Sequence, residues 1–534
     1  MIRHTVAFRA VDARTAAAGH RMIALYSEAE ENRDHLEATL GAPFAQRVLD
    51  MMAQGFIRGS YKEFNLLPGE TDGHFVLFLG LGSKKDNLRR HRRNDRLRGL
   101  VAIAARHFRR KGITRFAVDD FSSMGVKPDR AGALIAEGVV LGTYQFDLYT
   151  TRQKSARTEE ITVRCRGDVA TIQAALDRGR TVAEAVCMSR DLINMPSSDL
   201  RPMDFAERVR AVADEFDTLE CDILGRDAMT AERFGLHLAV ARGSNAEPAV
   251  CVLRYVPAGQ SQDGPWPLAL VGKGVTFDTG GYDIKPASGM RRMYRDMAGA
   301  GAVLGAMRAI AALGLPIKVV AVMPCSENMI NGEAFRPGDI LKSRKGLTVE
   351  IADTDAEGRL LLADSLTYVC DNYQPETLCD IATLTGAVRV ALGLFVTGLI
   401  THSDDEDLDE WTARTFREAG HRVGEWVWRL PVDDDYKVQL GSKVADLANC
   451  NLDGITGAGT ITAAVFLKQF IDFGHVKRWA HLDIAATAFM ERTAIYNKSP
   501  YMPKEGATAI GVRLLTEVAD RIAQERAGQG EAGR

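Results

Sequence analysis

Short apolar runs alternate with amphipathic stretches along almost the whole chain. "HFVLFLGLGS" (74–83) is a continuous apolar run closed by a Gly turn, the pattern of a buried strand. "RLRGLVAIAARHFRRKG" (96–112) then repeats its apolar positions at helical spacing. "RFAVDDF" (115–121) predicts another strand and "DRAGALIAEGVVLGTYQF" (129–146) another helix, so the first 170 residues form an α/β unit with a largely parallel sheet. "VATIQAALDRGRTVAEAVCMSRD" (169–191) is helical throughout and fits a link between domains, and "NMPSSDLRP" (194–202) supplies the turn residues of a boundary. Beyond it, "PLALVGKGVTF" (267–277), "IKVVAVMPC" (317–325), "ETLCDIATLTG" (376–386) and "RWAHLDIAA" (478–486) predict strands between further helices. The expected organisation is an α/β domain over 1–170, a linking helix over 171–193, a larger α/β domain over 194–525 and a disordered tail over 526–534, "RAGQGEAGR".

Length and composition agree with that division. A chain of 534 residues exceeds one ordinary domain, and 46% hydrophobic with 26% charged residues allows a sizeable core. A net charge of −3 gives no reason for nucleic acid or an anionic membrane as main partner. The N-terminus lacks the continuous apolar segment of a secretory signal, and the absence of a run of about 18 apolar residues argues against a membrane span. Eight scattered cysteines without Cys-x-x-Cys read as reduced core thiols, so a cytoplasmic protein is expected. "KKDNLRRHRRNDRLR" (84–98) is the strongest basic cluster, and without interleaved aromatics it reads as a solvated loop and helix before it reads as a nucleic-acid contact.

The candidate chemistry lies in the larger domain. "GLGSKK" (80–85) and "GKGVTFDTGG" (272–281) fit neither glycine-rich phosphate signature, so phosphate binding is a weak reading of both. The second segment instead places Lys273, Asp278 and then Lys285 and Asp296 at the end of an apolar strand, where open α/β sheets bind their ligands. "DTDAEGRLLLADSL" (353–366) adds Asp355 and Glu357, two apart and therefore on one side of an extended turn, ahead of an apolar helix. Gly358 permits an unusual turn there. Four converging carboxylates repel one another unless cations neutralise them, and two divalent metals with a neutral lysine balance the set. Any ligating lysine must lose its proton. H-E-x-x-H is absent and the 11 histidines are dispersed. Oxygen ligands with one amine nitrogen suit manganese, zinc, cobalt or magnesium.

"VGKGVTFDTGGYDIKP", "MYRDMAGAGAVLGAM", "NMINGEAFRPGDI" and "TDAEGRLLLADSL" closely resemble the leucyl aminopeptidase (cytosol aminopeptidase) family of dinuclear metallo-exopeptidases. "IATLTGAVRVALG", "WRLPVDDDYKVQLGSKVADLANC" and "WAHLDIAATA" extend the resemblance, which covers residues 134–516 well and the first 130 loosely. It implies a small N-terminal α/β domain joined to a larger catalytic α/β domain with a central mixed sheet flanked by helices, assembled as a hexamer. It implies Lys273, Asp278, Asp296 and Glu357 as ligands of the tighter metal site and Asp278, Asp355 and Glu357 as those of the exchangeable one. Lys285 resembles the catalytic lysine, and Arg359 the catalytic arginine that holds a bicarbonate. Met293, Thr383 and Gly386 match positions lining the pocket for the substrate's first side chain, and Met293 suggests a hydrophobic preference. The implied activity is release of N-terminal amino acids from peptides, with a hydroxide bridging the two metals, Mn or Zn, as attacking group. An arginine stays protonated and cannot be the base, so the bound anion takes that role.

Three positions depart from the family pattern: Asp353 where Asn is usual, Tyr282-Asp283 before Ile284-Lys285, and Tyr294 where a basic residue is common. Asp353 has three readings: tighter metal binding, a shifted pH range, or a hydrogen-bonded turn. Asp283 has one, a bias on substrate charge. A narrower dipeptidase, for example one acting on cysteinylglycine, and a DNA-binding or regulatory role on the same scaffold are the alternatives. The second rests on the 84–98 segment alone.

Overall fold

The computed structural model describes residues 5–15, 19–71, 73–86, 89–151, 157–452, 457–491 and 499–532. Two compact units account for the chain: residues 1–187 with 492–504, and 188–491 with 505–534. One helix, Val169–Asn194, covers the stretch expected to link two domains.

The first unit is a six-stranded sheet of β1 (Ala7–Asp12), β2 (Arg21–Tyr26), β3 (Phe64–Pro68), β4 (Phe75–Gly82), β5 (Arg115–Asp119) and β6 (Glu160–Cys165), in the order β1-β6-β5-β2-β4-β3. Every ladder is parallel except β3 against β4. Crossover helices cover it, and helices Arg90–Arg110 and Pro128–Thr143 meet through small residues. A Cβ on Gly142 would lie 2.5 Å from that of Ala102, so only glycine allows the approach.

The second unit carries a nine-stranded mixed sheet. Its strands are β7 (Leu219–Leu224), β8 (Ala249–Tyr255), β9 (Leu268–Gly272), β10 (Gly274–Asp278) and β11 (Val319–Asn328). After two short strands of a separate small sheet, β12 (Ile340–Lys342) and β13 (Thr348–Glu350), come β14 (Thr377–Ala382), β15 (Thr397–His402) and β16 (Val427–Arg429). The small sheet is completed by β17 (Leu447–Ala448), and the large one by β18 (Arg478–Asp483). The large sheet runs β16-β15-β18-β14-β9-β11-β8-β7, with β10 also pairing β11. Its centre, β18-β14-β9-β11 with β10, is parallel, and β8, β7 and the β15/β18 ladder are antiparallel. The central strands are buried along their length, as parallel strands covered on both faces must be.

The predicted strands and helices are present, with one refinement: 267–277 is two strands interrupted at Lys273. One expectation is corrected. The tail from 526 is helical to Ala532, within helix Val512–Ala532, because turns anchored by Leu514, Leu515, Val518 and Ile522 propagate through it despite Gly528 and Gly530. The stretch Met293–Leu313 is long and apolar enough to cross a membrane by length and composition, yet it is 89% buried. All residues Ala298–Ala311 of its helix are core, which is why the stretch is apolar all round.

Candidate metal centre

The carboxyl ends of the parallel strands gather the polar residues. Lys273 sits between β9 and β10, Asp278 closes β10, Asn328 closes β11, and Thr383 follows β14. Asp296 ends a short 3-10 turn (Met293–Arg295) just before the core helix Ala298–Leu313, and Glu357 is the N-cap of helix Gly358–Tyr373. Ligand oxygens of Asp278, Asp355 and Glu357 all lie within 4.8 Å of one another.

Lysine charge threads the cluster. Lys273 Nζ lies 2.7 Å from Asp296 Oδ2 and 2.8 Å from Glu357 Oε1, and donates to the Thr383 carbonyl at 3.1 Å. Lys285 Nζ lies 2.8 Å from Asp278 Oδ2 and also pairs with Asp355. Four carboxylates thus face two ammonium groups, in a site where Lys273, Asp278, Asp296 and Glu357 are buried. Burial raises the proton affinity of Asp278, Asp296 and Glu357, and the neighbouring carboxylates add to it. Asp355 is pushed up to about 7 by burial and by Asp278 and Glu357. Burial opposes the charge on Lys273, but Asp296, Glu357 and Asp278 outweigh it and hold the ammonium above its ordinary range. The same balance, against Asp278, Glu357 and Asp355, holds Lys285 up.

Whether such a set fits cations is decided by its loose ends. Asp296 Oδ2 and Glu357 Oε1 are buried, and the one cation beside both among the described residues is the Lys273 ammonium, 2.7 and 2.8 Å away. Two buried carboxylates thus share one ammonium, and a divalent ion fits the same place once Lys273 gives up its proton. The opposite oxygens are tied down: Asp278 Oδ1 accepts from Asn328 Nδ2 and from the Gly280 amide, both at 2.9 Å, and Asp296 Oδ1 accepts from the Thr383 hydroxyl at 2.7 Å. An amine and four carboxylates, with Asp278 and Asp296 fixed from behind, suit divalent ions with hard oxygen donors.

Arg359 stands two residues along the helix from Glu357. Its Nη1 donates to the Asn449 carbonyl at 2.6 Å, its Nε is buried without a partner, and burial lowers the affinity of the guanidinium for its proton. Met293 and Gly386 flank the cluster in the chain, three residues before Asp296 and three after Thr383. Met293 is half-buried, Gly386 is exposed at the start of helix Gly386–Leu392, and the Thr383 hydroxyl is committed to Asp296.

Three neutral residues escaped the sequence reading. Asn328 bridges Asp278 and the Thr354 carbonyl, Thr354 donates to the Gly280 carbonyl at 2.6 Å, and Asn449 receives the Ala352 and Asp353 amides while donating to the Asp353 carbonyl. Asn328 and Asn449 lie inside segments that resemble the family, which was the available signal. Asp283 bonds the amide and hydroxyl of Thr354, so this carboxylate fastens one ligand loop to the other. Gly358 is an ordinary helical residue. Its lack of a side chain makes room for Lys273, whose Cε would lie 2.5 Å from a Cβ there.

An α/β protein with inward carboxylates and lysines at the carboxyl end of its parallel strands is of the metal-dependent hydrolase class. A family model, the cytosol aminopeptidase family catalytic domain, matches residues 187–516, and the N-terminal domain of the same family matches 22–153. The chain belongs to the cytosol aminopeptidase family, whose members are metal-dependent aminopeptidases. Relatives described as "Probable cytosol aminopeptidase" include one from Geobacter sulfurreducens, 42% identical over 454 residues, 84% of this chain and 85% of that protein. Another, from Roseiflexus castenholzii, is 41% identical over 484 residues, 88% of this chain and 92% of that one. Among solved structures, the bottromycin maturation enzyme BotP in complex with Mn has a TM-score of 0.78 at 32% identity, covering 95% of this chain and all of that one. A tomato leucine aminopeptidase mutant has a TM-score of 0.82 at 30% identity, covering 97% of each chain.

Proposed function

We propose that this aminopeptidase removes hydrophobic N-terminal residues from peptides, using two divalent ions held by Lys273, Asp278, Asp296, Asp355 and Glu357. The observation that carries the reading is the convergence of four carboxylates on two lysines, with ligand oxygens of Asp278, Asp355 and Glu357 within 4.8 Å of one another and Asp296 and Glu357 sharing Lys273. Bound there, two ions would polarise the scissile carbonyl and acidify a water for attack at neutral pH. By the family resemblance, Asp278 and Glu357 would serve both ions, Asp296 and Lys273, once it gives up its proton, would complete one site, and Asp355 the other.

Around that pair the chain's own groups have distinct work. Lys285 keeps its proton and offers the ammonium to the oxyanion that develops on the substrate carbonyl. Arg359, with a free buried Nε, anchors a small anion, bicarbonate in the family pattern, which takes the proton that no His or Glu here is free to take. Met293, Thr383 and Gly386 shape the pocket for the first side chain, with half-buried Met293 its apolar wall. Manganese or zinc, a hexameric assembly and a cytoplasmic location follow from the family resemblance, and the Mn complex of BotP supports manganese first.

The test is a panel of aminoacyl amides on apo-protein reconstituted with each metal, with Glu357→Ala and Lys285→Ala alongside. Leu and Met substrates should lead, and each variant should lose roughly 10²-fold or more in kcat. Normal turnover by either variant would sink the site assignment, and turnover confined to a dipeptide such as cysteinylglycine would replace the broad activity with the narrow one.

A further inference from the structure

The first unit holds a crevice that the aminopeptidase reaction does not use. Its volume is about 430 Å³, within the usual range for small-ligand sites. Tyr26, Leu81 and Met124 form its apolar lining, and Glu31, Lys84 and Arg93 are its charged groups. It opens where the sheet changes direction. The chain leaves β2 toward β3 and β4 on one side, and leaves β5 toward β6 on the other, while β2 and β5 are neighbours. Open α/β sheets bind ligands outside the carboxyl ends of strands at such a point. Tyr26 ends β2, Leu81 lies at the end of β4, and Ser123, Met124 and Gly125 follow β5.

The charged groups divide by chemistry. Arg93 lies in the first turn of helix Arg90–Arg110, the end of a helix that favours anions. Its Nη2 donates to the Gly125 carbonyl at 3.3 Å, its Nε is buried without a partner, and no carboxylate pairs with it among the described residues. With Nη2 on Gly125 and Nε buried, the guanidinium still carries an unneutralised charge and its Nη1 to offer a phosphate in the crevice. Glu31 carries a carboxylate suited to accept sugar hydroxyls, and it pairs at present with Lys84, whose ammonium also lies 5.9 Å from the Tyr26 ring. Lys84 is fixed at its backbone, where its amide donates to Glu28 Oε2 at 3.1 Å. The loop after β5 is strained as well: Phe121, not a glycine, has φ 57°. Non-glycine residues keep such a conformation where the surroundings impose it, and functional loops are where they gather.

We propose that this crevice binds a nucleoside phosphate, with Arg93 on the phosphate, Glu31 on the ribose and the apolar lining against the base. The "GLGSKK" turn and the start of the basic 84–98 segment thereby acquire a shared purpose as the crevice's edge. Titration of the full-length enzyme with ADP, followed by calorimetry, is the test. ADP should saturate one site per chain below roughly 1 mM. Adenosine, lacking the phosphate, should bind more weakly, and inorganic phosphate should compete. Arg93→Gln should weaken ADP by about tenfold while leaving aminopeptidase turnover unchanged, which shows that the variant folds. No saturable binding of ADP, AMP or inorganic phosphate by active enzyme would overturn the proposal. So would ADP binding that Arg93→Gln leaves untouched, or retention of duplex DNA through Arg93 without binding of ADP.

Discussion

Asp353 Oδ1 accepts the backbone N–H of Asp355 at 2.7 Å, while the Asp353 backbone is held on both sides by Asn449. The carboxylate therefore shapes the turn that presents Asp355, a task a neutral carbonyl oxygen performs equally well. Asp353→Asn should keep turnover and metal affinity within about twofold, because the acceptor survives. Asp353→Ala removes it, and should cost about 1 kcal/mol in stability and weaken metal binding at the site proposed to include Asp355. Metal titration by calorimetry on both variants checks this, and a large loss in the Asn variant would return the charge itself to the site. The charged site residues were legible because carboxylates and lysines in apolar segments are expensive and so conspicuous. Asn328, Thr354 and Asn449 were not, since neutral polar residues near turns look the same whether they support a site or face water. Gly358 was legible as special, but for another reason: the obstacle to a side chain there is Lys273, far off in sequence.

At the scale of elements, the placement of Asp296 depends on how closely one helix end approaches the sheet. Gly299, in the first turn of helix Ala298–Leu313, has no room for a methyl group: a Cβ would lie 2.2 Å from the Ile381 carbonyl oxygen and 2.8 Å from the Lys273 amide. Gly272 of β9 is crowded from the other side, its own Cβ position 2.7 Å from the Gly299 carbonyl oxygen. In an exposed helix Gly→Ala would gain roughly 0.5–1 kcal/mol. Here Gly299→Ala must push the helix end away from β9 and β14, costing about 1–3 kcal/mol as overpacking. Because Asp296 lies three residues earlier and Lys273 is one of the atoms struck, turnover should fall with it. Thermal unfolding and kcat measured together check the coupling, and a stabilised, fully active variant would refute it. The elements themselves were legible in periodicity and apolar runs. Their pairing was less so: β7, β8 and β15 make the large sheet mixed, and strand direction is settled by partners distant in sequence rather than by a strand's own pattern.

For the whole molecule, acid is the informative perturbation, since each unit buries a histidine away from the metal centre. In the second unit His237 is fully buried, and burial pulls it down to about 3 even though its Nε2 meets the Cys325 carbonyl at 3.3 Å. In the first, burial and then Arg166 bring His35 to about 4, with Ser123 Oγ 2.9 Å from its Nδ1. Both values lie below the ordinary 6.5, so as pH falls the unfolded chain takes up these protons before the folded one does. Stability from each is intact above about 6.5 and is lost downward from there, at up to about 1.4 kcal/mol per pH unit, until the folded-state value is reached. The loss ends near pH 4 for His35 and near pH 3 for His237. In denaturant unfolding of the intact chain at pH 7, 6 and 5, His237→Gln and His35→Gln should each remove up to one proton's worth of acid-side destabilisation relative to the parent. The readout is the difference in slope between variant and parent, because Asp119, Asp355 and Asp364, held up to about 6, 7 and 7, titrate across the same range with the opposite sign in all three proteins. An unchanged slope in both would mean that these imidazoles are protonated in the folded protein, with their charge satisfied in the core.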